Sequence, residues 1–178
     1  MSRLINAGNK FRAKYKTVDG REFYGQILEP PDTSRVSNFL SARRYLRTRP
    51  ITIVKPRDVV VIAGTKYLCA EHGLGFYVTP IYRHFKLFEI DMEAQAVRSQ
   101  RITNPITGVK DTVRNIPLGK VYISLQPKAS EEDGILIPSI MKVGIADKPL
   151  KVEDRVGDYI VTKADTVLGV TLVELKEV

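Results

Sequence analysis

The chain has 178 residues, with 28 Lys/Arg against 20 Asp/Glu for a net charge of +8, and 43% of it is hydrophobic. That composition is ordinary for a globular protein with enough chain to bury a core, and no apolar run approaches the roughly 20 residues of a membrane-spanning helix. One cysteine, Cys69, excludes an internal disulfide framework and points to a reducing compartment.

The opening residues 1–10 lack the apolar core of a secretory signal. Phe11–Val18 then alternates, with Phe11, Ala13 and Tyr15 on one face and Arg12, Lys14 and Lys16 on the other, which is the period of a half-buried strand. Asp19-Gly20 is a strong hairpin signal, and Glu22–Leu28 returns as the partner strand. Glu29-Pro-Pro-Asp32 breaks the sheet. Asp32 or Ser34 then caps a predicted short helix ending at Pro50, with Val36, Phe39, Leu40 and Leu46 on one face and arginines on the other.

From Ile51 onward the signals are of strands: 51–54, 59–63, 66–70, 76–82 and 85–90, punctuated by Gly64-Thr65 and Gly73-Leu74-Gly75. Met92–Val97 reads either as one helical turn or as a loop. Asn104-Pro-Ile-Thr-Gly108 is turn chemistry at the tip of an extended arm spanning 91–118. Lys120–Gln126 alternates again. After the acidic loop 127–134, strands are expected at 135–137, 141–145, 159–163 and 169–175. Short strands at such intervals predict an all-β fold: one domain over 1–178, a small barrel or sandwich with a short basic helix in an insertion at 29–50 and projecting β-hairpin arms.

Two stretches echo each other. In Asp58–Val78 and in Asp154–Val173 an acid opens a Val-rich strand, a Gly turn delivers a Tyr-led strand, and a second Gly precedes a β-branched run. The Asp-to-Tyr spacing differs, so two unrelated hairpins would also produce the pattern.

Reactive chemistry finds little support. Cys69 and His72 have a C-x-x-H spacing, but two ligands do not make a zinc site, and a mid-strand thiol among apolar neighbours is usually inert. There is no nucleophile elbow, no Walker lysine, and Gly73-Leu-Gly75 lacks the rest of a dinucleotide fingerprint. No enzyme activity, metal or cofactor is expected.

Charge is the more informative signal. Residues 1–90 hold 16 Lys/Arg against 7 Asp/Glu, whereas 91–178 hold 12 against 13. Arg35, Arg43, Arg44, Arg47, Arg49, Lys55 and Arg57 form a run with no acid between Asp32 and Asp58. On the predicted helix, Arg43, Arg44 and Arg47 cluster on one side, suited to phosphates or to an acidic neighbour; a solvated helix face is the plainer reading. Phe39 and Tyr45 are too few for a base-stacking platform.

The stretch Pro149–Leu175, where the acidic turn Glu153-Asp154 leads to the strand from Tyr159 and then to a last strand, resembles the closing strands of small β-barrel connector proteins of tailed bacteriophages. These are the head-closure, stopper and adaptor components that join head to tail. Asp58–Ala70 is similar to the same pattern. The resemblance implies a structural protein of the virion neck or tail, assembled in the host cytoplasm as a homo-oligomeric ring. Its implied partners are portal and tail proteins, with a nonspecific DNA contact compatible and no membrane. No catalytic residue is carried over. The contact residues expected on this reading are Arg43, Arg44, Arg47 and Arg49, facing an acidic partner or DNA, and Asn104, Pro105, Ile106, Thr107 and Gly108, reaching a neighbour. Val121–Ile137 is similar to a co-chaperonin barrel, in which Ile135-Leu136-Ile137 would grip a chaperonin. A nucleic-acid-binding barrel is the third reading.

Overall fold

A computed structural model describes residues 13–28, 44–71, 82–102, 106–108, 112–126 and 141–178. Every regular element among them is a strand. The first half supplies β1 (Ala13–Thr17), β2 (Glu22–Leu28), β3 (Arg44–Thr48), β4 (Val59–Ile62), β5 (Thr65–Glu71) and β6 (Arg83–Glu89). The second supplies β7 (Met92–Ile102), β8 (Thr112–Gln126), β9 (Met141–Ala146), β10 (Arg155–Val156), β11 (Tyr159–Val167) and β12 (Val170–Glu177).

These strands close into two antiparallel barrels. Around the first the order is β1-β2-β3-β6-β5-β4, and around the second it is β7-β8-β9-β12-β11-β10. The two orders are the same. Closure removes the open edges that would otherwise invite strand addition, and here it depends on short pairings: β1 with β4 at Lys16↔Val61 and Thr17↔Val60, β7 with β10 at Val97↔Arg155 and Ala96↔Val156.

Each barrel is filled by its inward-facing side chains. Phe23, Leu46, Val60, Ile62, Tyr67, Cys69, Phe85 and Leu87 pack in the first, with Val54 from the loop before β4. Ala96, Val121, Ile123, Ala146, Val156, Val161, Val173 and Leu175 pack in the second, with Leu150 from the matching loop. Large and small partners are exchanged between them. A Cβ on Gly25 would lie 2.7 Å from Leu46 of the next strand, and a Cβ on Gly144 would lie 2.6 Å from Ile123. The same diagonal pair thus keeps its combined volume with the glycine moved to the other strand.

The echo between Asp58 and Asp154 has a structural counterpart. Each Asp closes a four-residue turn, Lys55–Asp58 or Lys151–Asp154, by accepting a hydrogen bond on its carboxylate from the lysine backbone N–H (2.8 and 2.7 Å). The residue before it has a positive φ in both, 78° at Arg57 and 73° at Glu153. The Asp carbonyls accept from Cys69 and Val161, both at 2.9 Å. An arginine holds each carboxylate: Arg21 Nη2 at 2.9 Å from Asp58 Oδ1, and Arg98 through two bonds of 2.8 and 2.7 Å to Asp154.

The barrels share a third apolar cluster. Val59, Leu68, Ala70 and Phe88, on the outside of the first barrel, pack on Ile145 and Val170 of the second, with Tyr122, Leu168 and Leu172 alongside. The seam is latched by the backbone: Glu71 N–H donates to Leu168 (2.8 Å) and Arg57 Nε to Gly169 (2.9 Å). Across it Glu93 bridges Lys66 and Lys120, and both lysines lie 5.4 Å from the Tyr122 ring.

The short basic helix is not present in the described residues. Arg44–Thr48 is strand, with Leu46 and Thr48 fully buried, because ladders to β2 and β6 on both sides outweigh its helix-like spacing of apolar residues. Residues 29–43, including Arg43, lie outside the described residues, as do 76–81 of the strand expected at 76–82 and the whole of that expected at 135–137. Residues 51–54 form bends rather than a strand, and Met92–Val97, read as helical turn or loop, belongs to β7.

Candidate functional site: a basic wall and a projecting arm

Because β3 is a strand, Arg44 and Arg47 point to opposite faces and do not cluster as a helix would place them. Arg44 shares the inward parity of Leu46. Its guanidinium sits 5.7 Å from the Tyr67 ring and donates to the Tyr67 hydroxyl at 3.1 Å, which places it at a mouth of the first barrel. Arg47 points outward. Its Nε donates to His84 Nε2 at 3.0 Å on the neighbouring strand, and its guanidinium lies 5.3 Å from the Tyr82 ring. Arg49 is exposed just past the end of β3.

Arg47 belongs to a wall. The outward residues of β1, β2, β3 and β6 follow the ladder: Lys14 lies across from Tyr24, Lys16 from Glu22, Gln26 from Arg47 and then His84, and Tyr45 from Lys86. Glu22 pairs with both Lys14 and Lys16, so two cations share one acid and Glu22 is held below the ordinary carboxylate range, chiefly by Lys14. At one end of the wall, Tyr24, Arg49, Ile51 and Ile53 line a shallow groove of about 370 Å³ in which Ile51 is 97% exposed.

The chain matches no family model, no curated protein and no solved structure. Among the described residues no three His, Cys, Asp or Glu side chains converge as a metal site would require, and no helix is long and apolar enough to cross a membrane. The Cys69 thiol is wholly buried, which pushes its pKa up and disfavours the thiolate a nucleophile needs. His72 and Ile135–Ile137 fall outside the described residues.

The second feature is the β7–β8 ribbon. These strands pair from Met92↔Ile123 to Ile102↔Thr112, but β9 covers β8 only over Ile123–Gln126, and β10 covers β7 only at Ala96 and Val97. Among the described residues, the two strands beyond Arg98 pair only with each other. A register shift at Ala96/Val97, opposite Gly119 (φ 75°) and Pro117, marks where the ribbon leaves the barrel, and the Arg98–Asp154 ion pair anchors its base. The five residues after Val97 project it by roughly 17 Å. Ile106, Thr107 and Gly108 are exposed at its turn, Ile106 by 92%; Asn104 and Pro105 lie outside the described residues.

Sequence reasoning singled out Arg47 and Arg49 but passed over Lys14, Lys16 and Tyr24. The signal was present in the alternation of β1. What was lacking was the knowledge that β3 lies two strands away on the same face.

Proposed function

We propose that this chain is a structural assembly protein, a connector of the neck or tail of a tailed-phage virion that forms a ring with its own copies and joins portal to tail. The observation that supports this reading is the projecting β7–β8 arm. Beyond Arg98 this two-stranded ribbon, which leads to an exposed isoleucine, supplies none of the described core residues of either barrel. It is suited to insertion into, or strand addition on, a neighbouring subunit. An arm at one place and its receptor at another make a heterologous contact, which closes into rings when the rotation allows. Two closed barrels locked along an apolar seam supply a rigid body from which such an arm can act.

Electron microscopy of the purified chain, alone and mixed with portal, tests the proposal. Ring-shaped particles are expected. Ile106→Asp should leave the thermal unfolding of the barrels within about 0.5 kcal/mol of wild type, as for an exposed surface site, while it disperses the rings. Solitary particles under both conditions, or rings indifferent to Ile106→Asp and to shortening of the arm, would overturn it.

A further inference from the structure

The common strand order allows residue-by-residue matching of the two walls. The ladders set Tyr24 opposite Lys14 as they set Tyr122 opposite Glu93, and Glu22 opposite Lys16 as they set Lys120 opposite Gln95. In the same way Arg47 and His84 correspond to Ile145 and Leu172, and Lys86 corresponds to Glu174. On the second barrel this wall is the face that receives the first barrel, and it does so with apolar side chains, Ile145, Val170 and Leu172. On the first barrel the matching positions hold Arg47, Tyr82 and His84, with Lys14 and Lys16 in place of Glu93 and Gln95.

This fold's own example of a protein contact on that wall is therefore apolar, as the centres of protein interfaces generally are, with charge depleted. The first barrel departs from it toward cations and aromatics at every matched position but one, where Glu22 stands in place of Lys120. Lys14, Lys16, Arg47 and Arg49 lie along it, Glu22 is the one acid among the described outward residues of β1, β2, β3 and β6 up to Lys86, and Tyr24 is 55% exposed. None of the described carboxylates pairs with Arg47 or Arg49. Repeated like charge with a single interleaved acid, Glu22, suits a ligand whose charge also repeats, a line of phosphates.

We infer that the outer wall of β1, β2, β3 and β6 binds the phosphate backbone of duplex DNA without regard to sequence, through Lys14, Lys16, Arg47 and Arg49, and that Arg44 takes no part. Arg47 is pre-positioned: His84 and Tyr82 hold its guanidinium on the outer face of the wall. The inference does not depend on the connector reading, since it concerns binding by the single chain.

Fluorescence anisotropy with a labelled 20-bp duplex of arbitrary sequence tests it on the full chain. Three to four phosphate contacts should cost roughly 40- to 150-fold in affinity between 50 and 200 mM NaCl, and equally for a second, unrelated sequence. Arg47→Gln should weaken binding five- to ten-fold and reduce the salt slope by about one, as should Lys16→Gln. Arg44→Gln removes the same charge at the barrel mouth and should change affinity less than two-fold. Circular dichroism melting confirms that each variant folds. No binding at 50 mM NaCl would overturn the inference, as would equal losses from Arg44→Gln and Arg47→Gln. Polyglutamate competing as well as unlabelled duplex would also overturn it and assign the wall to an acidic protein.

Discussion

The two barrels share a strand order, a turn and a core plan, yet they differ in what they show to the outside. On the first barrel, Val59, Leu68, Ala70 and Phe88 form an apolar strip that is buried against the second. Matching on the ladders puts Arg155, Ile160, Lys163 and Lys176 at those positions on the second barrel. The receiving wall is reversed, apolar on the second barrel and cationic on the first. The barrel-to-barrel contact is thus made once and cannot repeat by the same relation, because a further barrel would set cations against cations. Interiors set by packing tolerate volume-keeping exchanges such as Gly25/Leu46 for Gly144/Ile123. Exteriors carry the differences that determine assembly.

The largest effect expected is at the seam. Leu68→Ala, with a fully buried side chain, should cost about 2–5 kcal/mol, whereas Ile160→Ala at the matching, half-exposed position should cost less than about 1 kcal/mol. Urea unfolding of the two variants measures the contrast, and equal costs would break the assignment of Leu68 to a shared core.

The paired turns offer a finer comparison. Asp154 is 1% exposed and takes two bonds from Arg98 and one from the Lys151 N–H, so Asp154→Ala should cost about 3 kcal/mol. Asp58, with 16% of its side chain exposed, should lose about 1 kcal/mol on the same change. Reversal of that order in thermal melts would show that the turns are not held alike.

The smallest effect is a pH dependence at the bridge between the barrels. Lys120 first and Lys66 second hold Glu93 below the ordinary carboxylate range. A carboxyl whose folded pKa is depressed contributes its full stabilisation above its unfolded value and loses it as pH falls through the folded one. The pair is partly exposed, so its worth is under about 1 kcal/mol. The difference in urea midpoint between wild type and Glu93→Gln should be present at pH 7 and vanish in acid. A gap that persists below pH 3 would mean that the bridge acts through packing.

Period-two alternation with Gly turns was sufficient to place most strands, from the Asp19-Gly20 hairpin to the last strand, because a strand with one face in a core must alternate. The same rule could have read Met92, Ala94 and Ala96 against Glu93 and Gln95 as β7. It failed at Arg44–Thr48, where five residues satisfy a helical spacing as well as a strand, and only the ladders to Leu28 and Leu87 discriminate. Charge asymmetry between the halves was plain in the composition, but which cations share a surface was not. Lys14 and Arg47 are 33 residues apart in the chain and meet only because β1, β2 and β3 lie side by side. Local preferences determine strands and turns. The number of barrels, their closure through β4 and β10, and the wall they expose depend on pairings between distant residues, for which no single stretch of sequence carries a signal.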